Sequence, residues 1–88
     1  MIERVFQIRN RLGLHARPAA MFVQEAAKHK SSIVVVKDGL EVNGKSVMGL
    51  MLLAAESGSK LTIKADGPDE DKAIEGIARV FDRKFDEE

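Results

Sequence analysis

The chain has 88 residues, 44% hydrophobic and 32% charged with two prolines, a composition that predicts one globular domain over residues 1–88. Fourteen basic residues balance fourteen acidic ones, so the formal net charge is zero and no electrostatic driver exists for nucleic-acid or polybasic membrane binding. The absence of cysteine excludes disulfides, thiolate zinc sites and cysteine nucleophiles, and suits a reducing cytosol.

The first element, Ile2 to Ile8, sets Ile2, Phe6 and Ile8 on one face against Glu3 and Gln7, with Val5 on the polar side. That alternation predicts a half-buried strand. After the RNRLGL connection the period changes at Ala16. Ala19, Phe22, Val23, Ala26 and Ala27 recur at three and four residues, the stripe of an amphipathic helix. Pro18 falls in its first turn, where a missing N–H costs nothing, and Lys28, His29 and Lys30 supply positive charge at its end.

Ile33 to Val36 is a β-branched strand, and Asp38-Gly39 between apolar flanks predicts a tight hairpin returning through Leu40 to Val42. Ser46 is placed to cap a short helix from Val47 to about Leu53, weakened by Gly49. Leu61, Ile63 and Ala65 alternate in a fourth strand. Asp66 to Asp69 then opens a last helix whose stripe is Ala73, Ile74, Ile77, Ala78, Phe81 and Phe85. The order β-α-β-β-α-β-α predicts an α+β sandwich with the helices on one face of the sheet.

The longest apolar run, Val47 to Ala55, is far below the roughly 20 residues that span a bilayer, so no membrane insertion is expected. Glu3 and Arg4 interrupt the N-terminal apolar residues where a signal peptide needs continuity, so a soluble cytoplasmic protein is expected. No His, Asp or Glu pair has a recognised metal-ligand spacing and no Gly-rich nucleotide loop is present, so neither metal nor cofactor is expected.

Three features carry chemistry. His15 lies in Gly13-Leu14-His15-Ala16-Arg17-Pro18, at or beside a helix N-cap, where it can face the unpaired amides of Ala16 and Arg17. Such a terminus binds anions, and the Arg17 guanidinium suits phosphate oxygens. Imidazole there is either a plain cap or a nucleophile able to carry a phosphoryl group. Ser46 is either an N-cap alone or a phosphorylation site at a helix start. Met48, Met51 and Leu52 are either core or an adaptable docking surface. His29, between two lysines, reads as a solvated side chain at a helix C-terminus, with no function.

Together, Gly13-Leu14-His15-Ala16-Arg17-Pro18-Ala19 and Lys45-Ser46-Val47-Met48-Gly49-Leu50-Met51 resemble the active-site and regulatory-serine motifs of the HPr family, the histidine-containing phosphocarriers of the bacterial phosphoenolpyruvate-dependent phosphotransferase system. The resemblance runs over essentially the whole chain. It implies an open-faced β-sandwich, a four-stranded antiparallel sheet with three helices. It also implies that His15 takes a phosphoryl group on Nδ1 from enzyme I and passes it to an enzyme IIA protein, with Arg17 and the Ala16 and Arg17 amides stabilising the anion. Such a carrier is an intermediate in phosphoryl transfer and not a stand-alone multiple-turnover enzyme. Ala16, Ala20, Val47, Met48, Met51 and Leu52 would form the docking patch, and Ser46 would be the target of HPr kinase/phosphorylase.

A monomer is the simplest state for a transient carrier. The acidic ending Arg83 to Glu88 resembles the nitrogen-related branch, whereas the Ser46 motif points to the kinase-regulated branch. A catabolite-repression paralogue without the histidine is disfavoured by His15. The alternative from another class is a regulatory module acting mainly through Ser46 phosphorylation.

Overall fold

The computed structural model describes residues 1–87. Strands β1 (Ile2–Gln7), β2 (Ser32–Lys37), β3 (Leu40–Asn43) and β4 (Lys60–Asp66) alternate with helices α1 (Ala16–Ala27), α2 (Val47–Leu52) and α3 (Glu70–Asp82). They form one antiparallel sheet in the order β1-β4-β2-β3. Ile2 lies opposite Ala65 on one side of β4, and Ile33 opposite the same Ala65 on the other. β1 and β2 are therefore parallel with β4 between them, and α1 must cross the sheet to join them. β3 and β4 flank β2 in the same way, joined through α2. This double interleaving brings the starts of both helices to the connections that leave β1 and β3.

The hydrophobic pattern decides which face is covered. Phe6, Ile33, Val35, Leu61, Ile63 and Ala65 point from the sheet into the layer of helices and are all buried. They meet Ala19, Phe22 and Ala26 of α1, Leu50 of α2, and Ala73, Ile74, Ile77, Val80 and Phe81 of α3. Full burial of a large apolar side chain contributes about 1.5–3 kcal/mol, so these contacts dominate the stability of so small a chain. The opposite face of the sheet is open, with Val5 and Leu40 exposed. The architecture is the open-faced α+β sandwich expected from the sequence. Among the described residues no helix is long and apolar enough to cross a membrane.

The Asp38-Gly39 hairpin forms as expected. Lys37 pairs with Leu40 and both loop residues have positive φ, 50° and 84°, the primed turn that matches strand twist.

Several local expectations are corrected. Ala27, placed in the buried stripe of α1, is exposed, while Lys28 caps the end of that helix where positive charge is expected. His29 is not solvated: its side chain is 13% exposed and Nε2 lies 2.8 Å from Glu25 Oε2. The Glu25 carboxylate sits against Gly76, where a Cβ would overlap it, so α1 and α3 approach closely there. Val80 joins the buried stripe of α3, and Ala78 is only half-buried. Phe85 does not continue that helix. It lies in a separate 3-10 turn, Lys84–Asp86, after α3 has ended at Asp82.

Candidate functional site

Gly13 determines where His15 sits. Its φ is +73°, and a Cβ there would lie 2.5 Å from the Ala55 carbonyl oxygen, so only glycine lets the loop pass so close. The next amide, Leu14 N–H, donates to that carbonyl at 2.8 Å. Leu14 is buried, and His15 follows as the N-cap of α1 with extended backbone angles, φ −84° and ψ −171°. Its carbonyl accepts the first helical bond from Ala19 at 3.0 Å.

The His15 side chain makes no capping bond to the helix amides, contrary to the arrangement expected from the sequence. Pro18 has no N–H, so the donors at this positive pole are the Ala16 and Arg17 amides. Ala16 and Arg17 are both exposed at this end. The His15 ring is 37% exposed, and its Nε2 lies 3.1 Å from Glu87 Oε1. Among the described residues Nδ1 has no hydrogen-bond partner.

Two residues of this site escaped the sequence analysis. Buried Asn10 donates from Nδ2 to the Gly13 carbonyl at 2.7 Å and to Glu87 Oε1 at 3.1 Å. Both partners are acceptors, which fixes the orientation of the amide. Asn10 Oδ1 then has no partner among the described residues, at a cost of about 1–3 kcal/mol. Glu87 is largely enclosed, and desolvation pushes its carboxyl pKa up. Hydrogen bonds from His15 and Asn10, with the nearby positive charge of Arg17, outweigh that and hold it below its usual value.

The tail that delivers Glu87 is anchored by aromatic packing. Phe85 is buried edge-on to Phe81 at 5.0 Å between ring centroids, and Phe81 stacks on Phe6 at 4.9 Å. Arg9 also donates to the Asp82 carbonyl at 3.2 Å. Beside His15 an open depression of about 540 Å³ is lined by Arg11, Leu12, Leu14, Ala54, Ala55, Glu56 and Ser57. It is a shallow surface feature with no enclosed substrate pocket.

Ser46 caps α2 as expected, its Oγ accepting from Gly49 N–H at 3.0 Å. Lys45 reaches from the same turn to the His29 carbonyl at 2.7 Å, tying the start of α2 to the end of α1. α2 buries Leu50 and presents Met48, Met51 and Leu52 outward, with Met48 76% and Leu52 71% exposed. Val47 and Ala20 are half-buried. Met48, Met51 and Leu52 are therefore surface and not core. α2 packs directly on α1, so the patch belongs to the same helical layer as the helix that His15 caps. Among the described residues no cluster of three His, Asp or Glu side chains could hold a metal ion.

A model of the family described as the PTS HPr component phosphorylation site matches residues 2–83. The chain belongs to the HPr family. The phosphocarrier protein HPr of Treponema pallidum (strain Nichols) is 47% identical over 88 residues, covering both chains completely. The crystal structure of HPr-C-His from Thermoanaerobacter tengcongensis superposes with a TM-score of 0.96 at 46% identity, covering 100% of this chain and 99% of that one. Crh of Bacillus subtilis, a catabolite-repression protein described as a domain-swapped dimer, superposes with a TM-score of 0.76 at 44% identity, covering 96% and 97%. HPr proteins are phosphocarriers of the phosphotransferase system, and the His15 and Ser46 segments of this family member both fall inside the matched residues.

Proposed function

We propose that this HPr-family chain, acting as one domain in the cytoplasm, accepts a phosphoryl group on His15 Nδ1 from phospho-enzyme I and donates it to an enzyme IIA protein. The observation that carries the reading is His15 at the α1 N-cap beside Arg17, with Nε2 engaged and Nδ1 without a partner among the described residues. In the transfer the Nδ1 lone pair attacks phosphorus, a new P–N bond forms, and the donor's P–N bond breaks with its electron pair returning to the donor imidazole. The His15 ring keeps its Nε2 proton and becomes a phosphorylated imidazolium as the donor ring returns to the neutral form, so no proton need be exchanged with solvent. The Ala16 and Arg17 amides and the Arg17 guanidinium offset the charge of the transferred oxygens. Ala16, Ala20, Val47, Met48, Met51 and Leu52 would dock donor and acceptor in turn, as a monomer.

Ser46 would be phosphorylated by an HPr kinase/phosphorylase. Its phosphate, on the first turn of the helix bearing Met48 and Leu52, would place about −1.5 to −2 charges at the docking patch and weaken enzyme I binding. A second reading, a regulatory module acting through Ser46, is favoured by the likeness to Crh and by the exposure of that patch.

Intact-mass measurement after incubation with phosphoenolpyruvate and enzyme I discriminates between them. The carrier gains one acid-labile phosphoryl group, and His15→Ala gains none while keeping its fold. A native chain that stays unmodified beside a competent control carrier would refute the carrier reading and leave the Ser46 reading.

A further inference from the structure

We infer that Glu87 is a positioning residue for His15, its carboxylate holding the imidazole with the proton on Nε2 and the lone pair on Nδ1. The inference rests on the phosphocarrier reading above, and Glu87 lies outside residues 2–83 that the family model matches.

The geometry is specific. Glu87 Oε1 lies 3.1 Å from His15 Nε2, and Asn10 Nδ2 donates to the same oxygen at 3.1 Å. An ionised carboxylate only accepts, so the imidazole nitrogen facing it carries the hydrogen. In the neutral ring the other nitrogen must then hold the lone pair. That nitrogen is Nδ1, the atom required to attack phosphorus. The depressed pKa of Glu87 keeps it an acceptor across the range in which neutral imidazole exists. Carboxylate–histidine pairs act in the same way at metal centres, where the outer group fixes tautomer and ring orientation.

The backbone indicates that this contact is maintained against a cost. Lys84, Phe85 and Asp86 have φ of +53°, +56° and +56°, three successive non-glycine residues in the left-handed region. L-residues visit that region singly, and a run of three opposes Cβ sterics at each step. Phe85, 1% exposed, locks the run in place, and Asp86 accepts from Arg83 Nε at 3.2 Å. The turn reverses the chain after α3, so Glu87 reaches a histidine 72 positions earlier. Asn10 braces the carboxylate from the loop that also sets His15, through its bond to the Gly13 carbonyl. Glu87 touches no reacting atom in this arrangement; it acts through the ring.

The test joins long-range ¹H–¹⁵N NMR of the His15 ring, on unphosphorylated protein at a pH where the ring is neutral, with phosphoryl-uptake kinetics. The native protein should show one dominant tautomer, with Nε2 protonated. Glu87→Ala should shift the ring nitrogens towards the averaged pattern of a free imidazole and lower kcat for uptake about tenfold, with KM for enzyme I unchanged. Glu87→Gln keeps an acceptor oxygen and should restore the nitrogen pattern and most of the rate. Unchanged ring nitrogens in Glu87→Ala, or an unchanged kcat, would overturn the inference while leaving His15 phosphorylation standing. A native chain that takes up no phosphoryl group would overturn the carrier reading and this inference with it, while the NMR result would still report the Glu87–His15 contact.

Discussion

Gly13→Ala compared with Gly39→Ala measures how tightly the loop beneath His15 is constrained. Both glycines have positive φ, +73° and +84°, so alanine at either carries the left-handed penalty of about 1–2 kcal/mol. Their surroundings differ. A Cβ at Gly39 meets nothing within 4 Å, whereas one at Gly13 lies 2.5 Å from the Ala55 carbonyl oxygen and 3.0 Å from Glu56 Cα. Those are backbone atoms, which cannot rotate aside. The loop must move, and the 2.8 Å bond from Leu14 N–H to the Ala55 carbonyl stretches or breaks, costing about a further 1 kcal/mol. Gly39→Ala should therefore cost about 1–2 kcal/mol and Gly13→Ala about 2–3 kcal/mol. For a chain of this length the larger value lowers Tm by on the order of 10–25 °C. Urea unfolding followed by far-UV circular dichroism reads both. Equal losses within about 0.5 kcal/mol would refute the close approach at Gly13.

Ser46→Ala should destabilise by about 1 kcal/mol, because the Gly49 amide loses the Oγ that caps it; unfolding unchanged by the substitution would contradict the cap. Asp69 accepts from the Ser31 hydroxyl and from the Ser31 and Lys30 amides, and these bonds hold its pKa far below the ordinary 3.8. A depressed carboxylate stabilises the folded state fully above the unfolded pKa, and that contribution disappears as pH falls below it. The urea midpoint should fall steeply from pH 5 downward, and Asp69→Asn should flatten the slope; parallel curves would contradict the assignment. Met48→Asp and Leu52→Asp, at side chains 76% and 71% exposed, should leave Tm almost unchanged and raise KM for enzyme I about tenfold or more. An unaltered KM would remove α2 from the docking surface.

The parts legible in the sequence are those governed by local periodicity. The alternation in β1 and β4, the stripe of α1 up to Ala26, the Asp38-Gly39 turn and the Ser46 cap each depend on neighbours within a few positions, and each forms as read. The place of His15 and Arg17 at a helix start is legible for the same reason, since Gly13 and Pro18 bracket it. Residues whose role depends on distant chain were not legible. Glu87 lay in a run of acids that looks like a solvated tail, and nothing local says that the tail turns back onto His15. Asn10 looked like an ordinary loop residue until the Gly13 carbonyl and Glu87 were brought to it. Phe85 kept the spacing of the α3 stripe, yet it is buried from a separate left-handed turn, because period alone does not reveal where a helix stops. His29 reads as solvated from its two lysine neighbours, whereas Glu25 and Asp69 approach the ring from α1 and from the N-cap of α3.

The central claim is that His15 Nδ1 carries the phosphoryl group. Phosphorylating ¹⁵N-histidine-labelled protein with phosphoenolpyruvate and enzyme I, then reading ¹⁵N–³¹P coupling at both histidines, tests it most directly. The account predicts one coupling, at Nδ1 of His15, with Nε2 still protonated and His29 unchanged. Phosphorus on His15 Nε2, on His29, or on neither ring would contradict it.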